Sequence, residues 1–492
     1  ETYDRNLDNI FQVQDEIARA IVDALKLPLL GQDEQAVAAS SAASFEAYDL
    51  YLLGRHHYRQ LNEQGFKKAV EYFTRAAAVD PDYAPAWSGL ADAYLGLSDY
   101  GDLALSESYA LAESAIERAV ELAPNAPETL ATQGILASYR GHAQEARALL
   151  ERAVAGNPND VNTLVNLAST LGPADLDRSV KYIEKAFELD PLSELTRGAI
   201  INARAYQGDF EAAIALAEGM LRDDPDNPGL HEAMANVYDL AGERHLAIPH
   251  WEKTWALRPG DVLPAMALSR NYRYIEDPAS ADAWLQKARQ RGPDSRWTRL
   301  AELFMHFDQQ NWESLNTLHE AMFSAGTMGP AIQTFYGDNL LRLGREADAE
   351  RILRGVTDLF GDSLAPVETS EHANATKRLV HLLPTGEERR QRLEQLRAYV
   401  EVLLETRPKE DDTWRQSADL AMLEGDTQAA LTNLEKSLEY GLVYRKSLEA
   451  SPLYAGLRDD PGFRTVLALI SEKARRQREQ LEARGPGGEE AL

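Results

Sequence analysis

The chain has no cysteine among its 492 residues, which excludes thiolate catalysis, Cys-ligated zinc and disulfide bonds. That absence leaves the compartment open, because a helical protein of this size needs no disulfides anywhere. Aromatic residues are only 8% of the total and β-branched runs are scarce. No stretch approaches the roughly 18 uninterrupted apolar residues that a membrane-spanning helix requires. Nucleotide-cradling GxxxxGK[ST] and GxGxxG patterns, the GxSxG elbow and the zinc-binding HExxH pair are all missing. The nearest approach to the last is HEAMA at His231, which has no second histidine in register. His56–His57 and His245–His250 also have the wrong spacing to share one helix face, so no metal or cofactor site and no catalytic group is expected. Basic residues are the minority charge, 51 against 79 acidic, for a net charge of −28. A field of that sign repels phosphate backbones and anionic lipids, so direct nucleic-acid binding by this region is not expected.

What the chain has in bulk is Ala, Leu, Glu and Arg, the strongest helix formers. They recur with a period. Ala69, Phe73, Ala76 and Pro81 are spaced four, three and five apart, and the same spacing returns at Ala112, Ile116, Ala119 and Pro124, then at Ala146, Leu150, Ala153 and Pro158. Further copies end at Pro191, Pro225, Pro259 and Pro293, and from Pro191 onward these prolines are 34 residues apart. Upstream of each lies a second helical register, clearest as Trp87, Leu90, Ala91 and Tyr94. Small residues at Gly54, Gly134 and Gly337 let the two helices of a pair approach closely, and the proline ends the second helix. Trp87, Trp251 and Trp414 fall at packing positions of the repeat.

This period and pattern resemble the tetratricopeptide repeat (TPR). The resemblance implies an all-α fold: an α-solenoid in which about eleven helical hairpins wind into a right-handed superhelix with a concave groove. The expected layout is an N-terminal array at 44–260, a more degenerate array at 261–443, capping helices at 444–484 and a disordered tail at 485–492. The inserted SDYGDLALSESY is expected to extend helices or bulge from one face. The opening ETYDRNLDNIFQVQDEIARAIVDAL, the later SFEAYDLYLLGRHHYRQ and the closing SPLYAGLRDDPGFRTVL resemble a junction found in bacterial regulators. There a TolB-like domain precedes a repeat array. The resemblance makes 1–30 the helical end of a TolB-like domain lying mostly upstream and 31–43 a linker. It implies an N-terminal effector such as a winged-helix transcriptional regulator, a class III adenylate cyclase or a kinase. It also implies a membrane connection only through a transmembrane helix outside this sequence, which favours the periplasmic side of the inner membrane, with the cytoplasm as alternative.

Inner-helix offsets share a side opposite the packing residues and face the groove. Asn202, Asn236 and Arg270 occupy one such position in three successive repeats, with Arg273 one turn beyond Arg270. Tyr139, Tyr206 and Tyr274 occupy the thirteenth position. Asn amides can clamp an extended peptide backbone, Arg can hold a carboxylate through two bonds, and Tyr offers broad apolar contact with one polar tip. These seven are the candidate peptide-binding residues. The two arginines, within an acidic chain, point to an acidic or C-terminal segment as ligand. The expectation is a non-catalytic scaffold that binds a protein or peptide, as the sensory half of a larger signalling protein. A regulatory region of a cyclase or kinase, or a free-standing assembly or transport adaptor that self-associates, are the alternatives.

Overall fold

The computed structural model describes residues 33–100, 103, 105–171, 175–325, 328–360, 369–441 and 444–484. The expected upstream helical end at 1–30 and the tail at 485–492 lie outside them. Among the described residues every regular element is helical, and the helices form eleven consecutive pairs. Pairs one to four are α1–α2 (Asp33–Tyr58, Glu63–Val79), α3–α4 (Ala84–Tyr100, Leu105–Leu122), α5–α6 (Pro127–Tyr139, Ala143–Gly156) and α7–α8 (Val161–Thr170, Leu176–Leu189). Pairs five to eight are α9–α10 (Glu194–Tyr206, Phe210–Asp223), α11–α12 (Pro228–Leu240, Arg244–Leu257), α13–α14 (Leu263–Tyr274, Pro278–Arg291) and α15–α16 (Arg296–Asp308, Trp312–Ser324). The last three are α17–α18 (Pro330–Arg342, Glu346–Asp358), α19–α20 (Ser370–Leu382, Glu387–Thr406) and α21–α22 (Asp411–Glu424, Thr427–Glu439). A short α23 (Arg445–Glu449), a 3₁₀ turn (Pro452–Leu457) and a long α24 (Pro461–Ala483) follow. The fold is a TPR-type α-solenoid. Helix α1 starts at Asp33, inside the 31–43 stretch expected to be a linker, and the alanine-rich composition there favours helix.

The first, third and ninth pairs close on a glycine set against a large side chain. A Cβ placed on Gly54 would sit 2.5 Å from the Phe73 ring, one on Gly134 2.7 Å from Leu150, and one on Gly337 2.8 Å from Leu353. These distances are below any real Cβ contact, so only glycine allows the two helices of these pairs to touch. The apolar residues left over pack against the next pair. One continuous cluster runs from Ala69 and Phe73 through Leu90, Ile116 and Leu130 to Leu150 and Leu167, crossing three pair boundaries.

Two devices recur at the bends. Within a pair, the turn needs one residue in the left-handed region. That position steps by 34 through Gly208, Gly242, Glu276, Gln310 and Gly344, all with φ between 53° and 74°. Between pairs, the carbonyl of the boundary proline is capped by the side chain six residues later. Trp87 Nε1 donates to Pro81 O at 3.0 Å, Arg197 Nε to Pro191 O at 3.0 Å, His231 Nε2 to Pro225 O at 2.9 Å and Trp414 Nε1 to Pro408 O at 2.8 Å. Trp87 and Trp414 are therefore half-buried clasps, whereas Trp251 is a core residue at 2% exposure.

The solenoid winds tightly enough for successive turns of the superhelix to touch. Arg296 of the eighth pair donates to Ser98 O of the second at 3.2 Å. Gly141, in the turn of the third pair, faces Leu359 and Pro330 of the ninth; Gly208 of the fifth faces Lys409 at the start of the eleventh. Each contact links pairs six apart. Beyond the eleventh pair the C-terminal segment continues the second turn. Gln477 of α24 donates to Gly242 O at 2.7 Å and accepts from Arg244 N at 2.9 Å, while Arg478 donates to Glu276 O at 2.8 Å.

Gly242 and Gly441 meet backbone to backbone, and a Cβ on Gly242 would lie 2.4 Å from Gly441 Cα. Gly242→Ala adds to this clash a left-handed conformation that costs a non-glycine residue about 1–2 kcal/mol. The expected result is faster amide exchange in α24 and a lower melting temperature, with the exchange pattern of α1–α6 unchanged, measured by hydrogen–deuterium exchange mass spectrometry.

Candidate binding groove

Among the described residues, the inner helices line cavities of which three bear on the candidate residues. The first, of about 280 Å³, lies against α1, α3, α5 and α7 and is lined by Arg55, Asp92, Tyr139, Asp160 and Asn162. Burial pushes the Asp92 carboxyl up to about 7, against the opposing pull of Arg55 and a hydrogen bond with Thr132. The second, of about 640 Å³, adjoins the first through Leu61, Tyr100, Val165 and Leu195. One wall is α7, α9 and α11; the facing wall is Thr369, Ser370, Glu371 and Arg407 from the next superhelical turn. The third, of about 370 Å³, lies between α15, α17, α19, α21 and the segment Tyr444–Tyr454.

Asn202, Tyr206 and Asn236 come together on the second cavity. Asn202 Oδ1 is buried without a hydrogen-bond partner. Tyr206 is 42% exposed and lies under the Arg407 guanidinium at 5.6 Å. Beside them Arg258 is shared between Glu194 and Glu232, with Glu232 Oε2 at 2.5 Å, and burial raises the Glu232 carboxyl above its usual range. Gly198, on the same face of α9, leaves bare backbone in the wall, since a Cβ there would have nothing within 4 Å.

The other four candidates are dispersed. Tyr139 lines the first cavity, and its carbonyl accepts from Tyr109 OH at 2.7 Å. Arg270 and Arg273, expected to face a ligand, bond within the fold. Arg270 donates to Asp239 at 2.7 Å, and the same carboxylate takes Arg244 at 2.9 Å and Trp251 at 3.2 Å. Arg273 is 5% exposed and bridges Asp308 at 3.0 Å and Asp282 at 2.6 Å. Asp308 also accepts from Tyr444 OH at 2.7 Å, which ties the seventh and eighth pairs to the C-terminal segment. Tyr274 lines the third cavity, packed on Tyr444 with centroids 4.6 Å apart and with the Arg244 guanidinium over its ring at 4.9 Å.

Continuing the ladders by 34 finds what the sequence reading stopped short of. Beyond Arg270 come Phe304 and Asp338; beyond Tyr274 come Asp308 and Arg342. Phe304, Asp338 and Arg342 line the third cavity, and Asp308 supplies the carboxylate that holds Arg273 and Tyr444. His231 and His250 meet through their Nδ1 atoms at 2.9 Å, and burial followed by the neighbouring His231 pushes His250 down to about 3. Two imidazoles do not hold a metal, and no group of three or more metal-ligating side chains occurs among the described residues. No helix among those residues is long and apolar enough to cross a membrane.

No family model matches the chain. It is 35% identical over 100 residues to "Putative adenylate cyclase 3" of Rhizobium meliloti, a stretch covering 20% of this chain and 17% of that protein. It is 22% identical over 210 residues to "Transcriptional regulator HilA" of Salmonella typhimurium, covering 42% of this chain and 38% of the regulator. The chain thus matches well under half the length of either relative. Among solved structures, the human IFIT1 dimer with m7Gppp-AAAA aligns with 83% of this chain and 95% of its own at 14% identity and a TM-score of 0.39. PilF of Pseudomonas aeruginosa aligns with 45% of this chain and 96% of its own at 15% identity and a TM-score of 0.31. Alignments this loose carry nothing about ligands.

Arg273→Ala would leave the buried Asp308 with only the more distant Lys446, at 3.7 Å, as its cation, and breaking a buried pair costs about 3–5 kcal/mol. Urea denaturation followed by circular dichroism should show a loss of that order, whereas an exposed ligand-binding arginine would cost little. Asp92 gives a pH signature. Its folded-state value lies above the 3.8 of the free carboxyl, so its contribution to stability falls as pH rises from about 4 to 7. Asp92→Asn should melt higher than the parent above about pH 7, the gap closing toward about pH 4, in thermal scans across that range.

Proposed function

We propose that the chain is a non-catalytic scaffold that holds an extended protein segment against α7, α9 and α11. The observation that carries this reading is the pair Asn202 and Asn236, 34 residues apart on one cavity wall, with the Asn202 carbonyl oxygen buried and unpartnered. A buried amide oxygen without a donor is costly, and a peptide N–H would satisfy it. The spacing suits this role, because adjacent repeats present the same amide at regular intervals along an extended strand. Tyr206 adds apolar surface beside the ladder, and Gly198 leaves backbone accessible for close approach.

The acidic-ligand preference expected from Arg270 and Arg273 has no support from their geometry, since both are held by aspartates. On the second cavity the positive groups are Arg258, already shared by two glutamates, and Arg407. The reading therefore favours main-chain recognition over capture of a terminal carboxylate. Similarity to stretches of a cyclase and of a transcriptional regulator supports placing the scaffold in the regulatory half of a bacterial signalling protein.

The test is to select peptides on the full chain by phage display and measure them by calorimetry against Asn202→Ala/Asn236→Ala. Loss of two amide contacts should weaken binding about tenfold or more. Selected peptides that bind the double variant as tightly as the parent would overturn the assignment.

A further inference from the structure

The third cavity differs in character from the other two. Four cationic side chains line it (Arg342, Lys377, Arg378 and Arg415) against two carboxylates, Asp338 and Asp419, in a chain whose net charge is −28. Both carboxylates are engaged. Asp419 accepts Lys377 Nζ at 2.5 Å and Tyr454 OH at 2.7 Å, and Asp338 lies 2.8 Å from Arg378 Nε. Arg415 is bonded to Asp412 behind the wall.

Arg342 is the exception. Its side chain is only 8% exposed, yet a single N–H has a hydrogen bond, from Nε to Ala450 O at 2.8 Å. Nη2 stops 3.9 Å from Asp338, and Nη1 is buried with no partner. The guanidinium packs on Phe307, which also lines the cavity, and on Trp312, with ring centroids 5.1 and 5.2 Å from Cζ. Burial disfavours its charged form, and the neighbouring Arg378 opposes it further. A guanidinium without a bonded carboxylate is suited to take a carboxylate or phosphate. The rest of the wall carries the rings of Tyr274, Phe304, Phe335 and Tyr444 among aliphatic and serine side chains.

We propose that this cavity is a binding site for a small organic anion, a carboxylate or phosphate carried on a planar ring. Arg342 takes the anionic group, with Arg378 beside it, and the aromatic wall takes the ring. The volume suits a ligand of that size. The site shares no lining residue with the second cavity, so it stands whether or not a peptide binds there. Because Tyr444 belongs to the C-terminal segment and Ala450 O holds Arg342, the occupant contacts the array and its cap together.

The experiment uses the full chain with four probes: phenyl phosphate, benzoate, inorganic phosphate and benzyl alcohol. Saturation-transfer NMR titration should give saturable binding of at least one ring-bearing anion. Inorganic phosphate and benzyl alcohol, each holding half of the recognition, should bind about tenfold more weakly or not at all, and Arg342→Met and Arg378→Met should each lose about tenfold in affinity. Which ring anion binds better separates a carboxylate from a phosphate ligand, and either result supports the site. If Arg342→Met does not fold, the half-buried Arg378→Met decides. Failure of both ring anions to saturate, equal binding of inorganic phosphate alone, or unchanged affinity in the folded variants would overturn the proposal.

Discussion

A two-helix unit cannot bury its own apolar face, and the rest of this structure follows from that constraint. The helices of a pair come close where a glycine faces Phe73, Leu150 or Leu353, and what remains exposed must be covered by the next pair. The outcome is a chain of linked clusters with no single centre, each shared by neighbours. Regular stacking makes the inner wall regular too. A residue placed at a given offset in one pair reappears at the same height in the next, and the wall becomes a surface that can be varied position by position.

Along that wall the chemistry changes in steps. At the fifth and sixth pairs it is amide and phenol, with Asn202, Tyr206 and Asn236. At the seventh and eighth it turns inward, as Asp239 and Asp308 gather arginines from α12 and α13 and bind the C-terminal segment to the array. At the ninth it becomes cationic and aromatic around Arg342. Buried arginines such as Arg244, Arg258 and Arg273 are held by carboxylates, several of them shared, whereas Arg342 is not. Buried pairs of this kind add little net stability but penalise any packing that would separate them.

The repeat, the number of pairs and the close-approach glycines were legible because each depends on local spacing, which the sequence displays directly. The 34-residue spacing of Asn202 and Asn236, which share a cavity wall, was legible for the same reason. The pairing of Arg270 and Arg273 was not. Its partners, Asp239, Asp282 and Asp308, sit up to 35 residues away and look in the sequence like any other surface acid. Arg342 lay within reach of the same counting rule, two steps past Tyr274, but its change of residue type hid it among the degenerate repeats. The left-handed turns at Glu276 and Gln310 were masked similarly, since glycine marks the equivalent turn in other pairs, as at Gly208, Gly242 and Gly344, but not there. The contacts between superhelical turns had no signature at all. They depend on the small rotation accumulated over six pairs, which no single repeat records.

That six-pair offset has a consequence for how such a chain can change. In an open spiral, losing or gaining one unit shortens or lengthens the object and leaves the survivors undisturbed. Here Ser98 meets Arg296, Gly208 meets Lys409 and Gly242 meets Gly441 only while the intervening count holds. Excising a module between them would slip every later neighbour past its mate by one notch, like a zip closed a tooth out of step. The array is modular in its parts but indivisible in its length, and single-repeat duplication, the easiest route by which such proteins grow, is closed to it between those contacts.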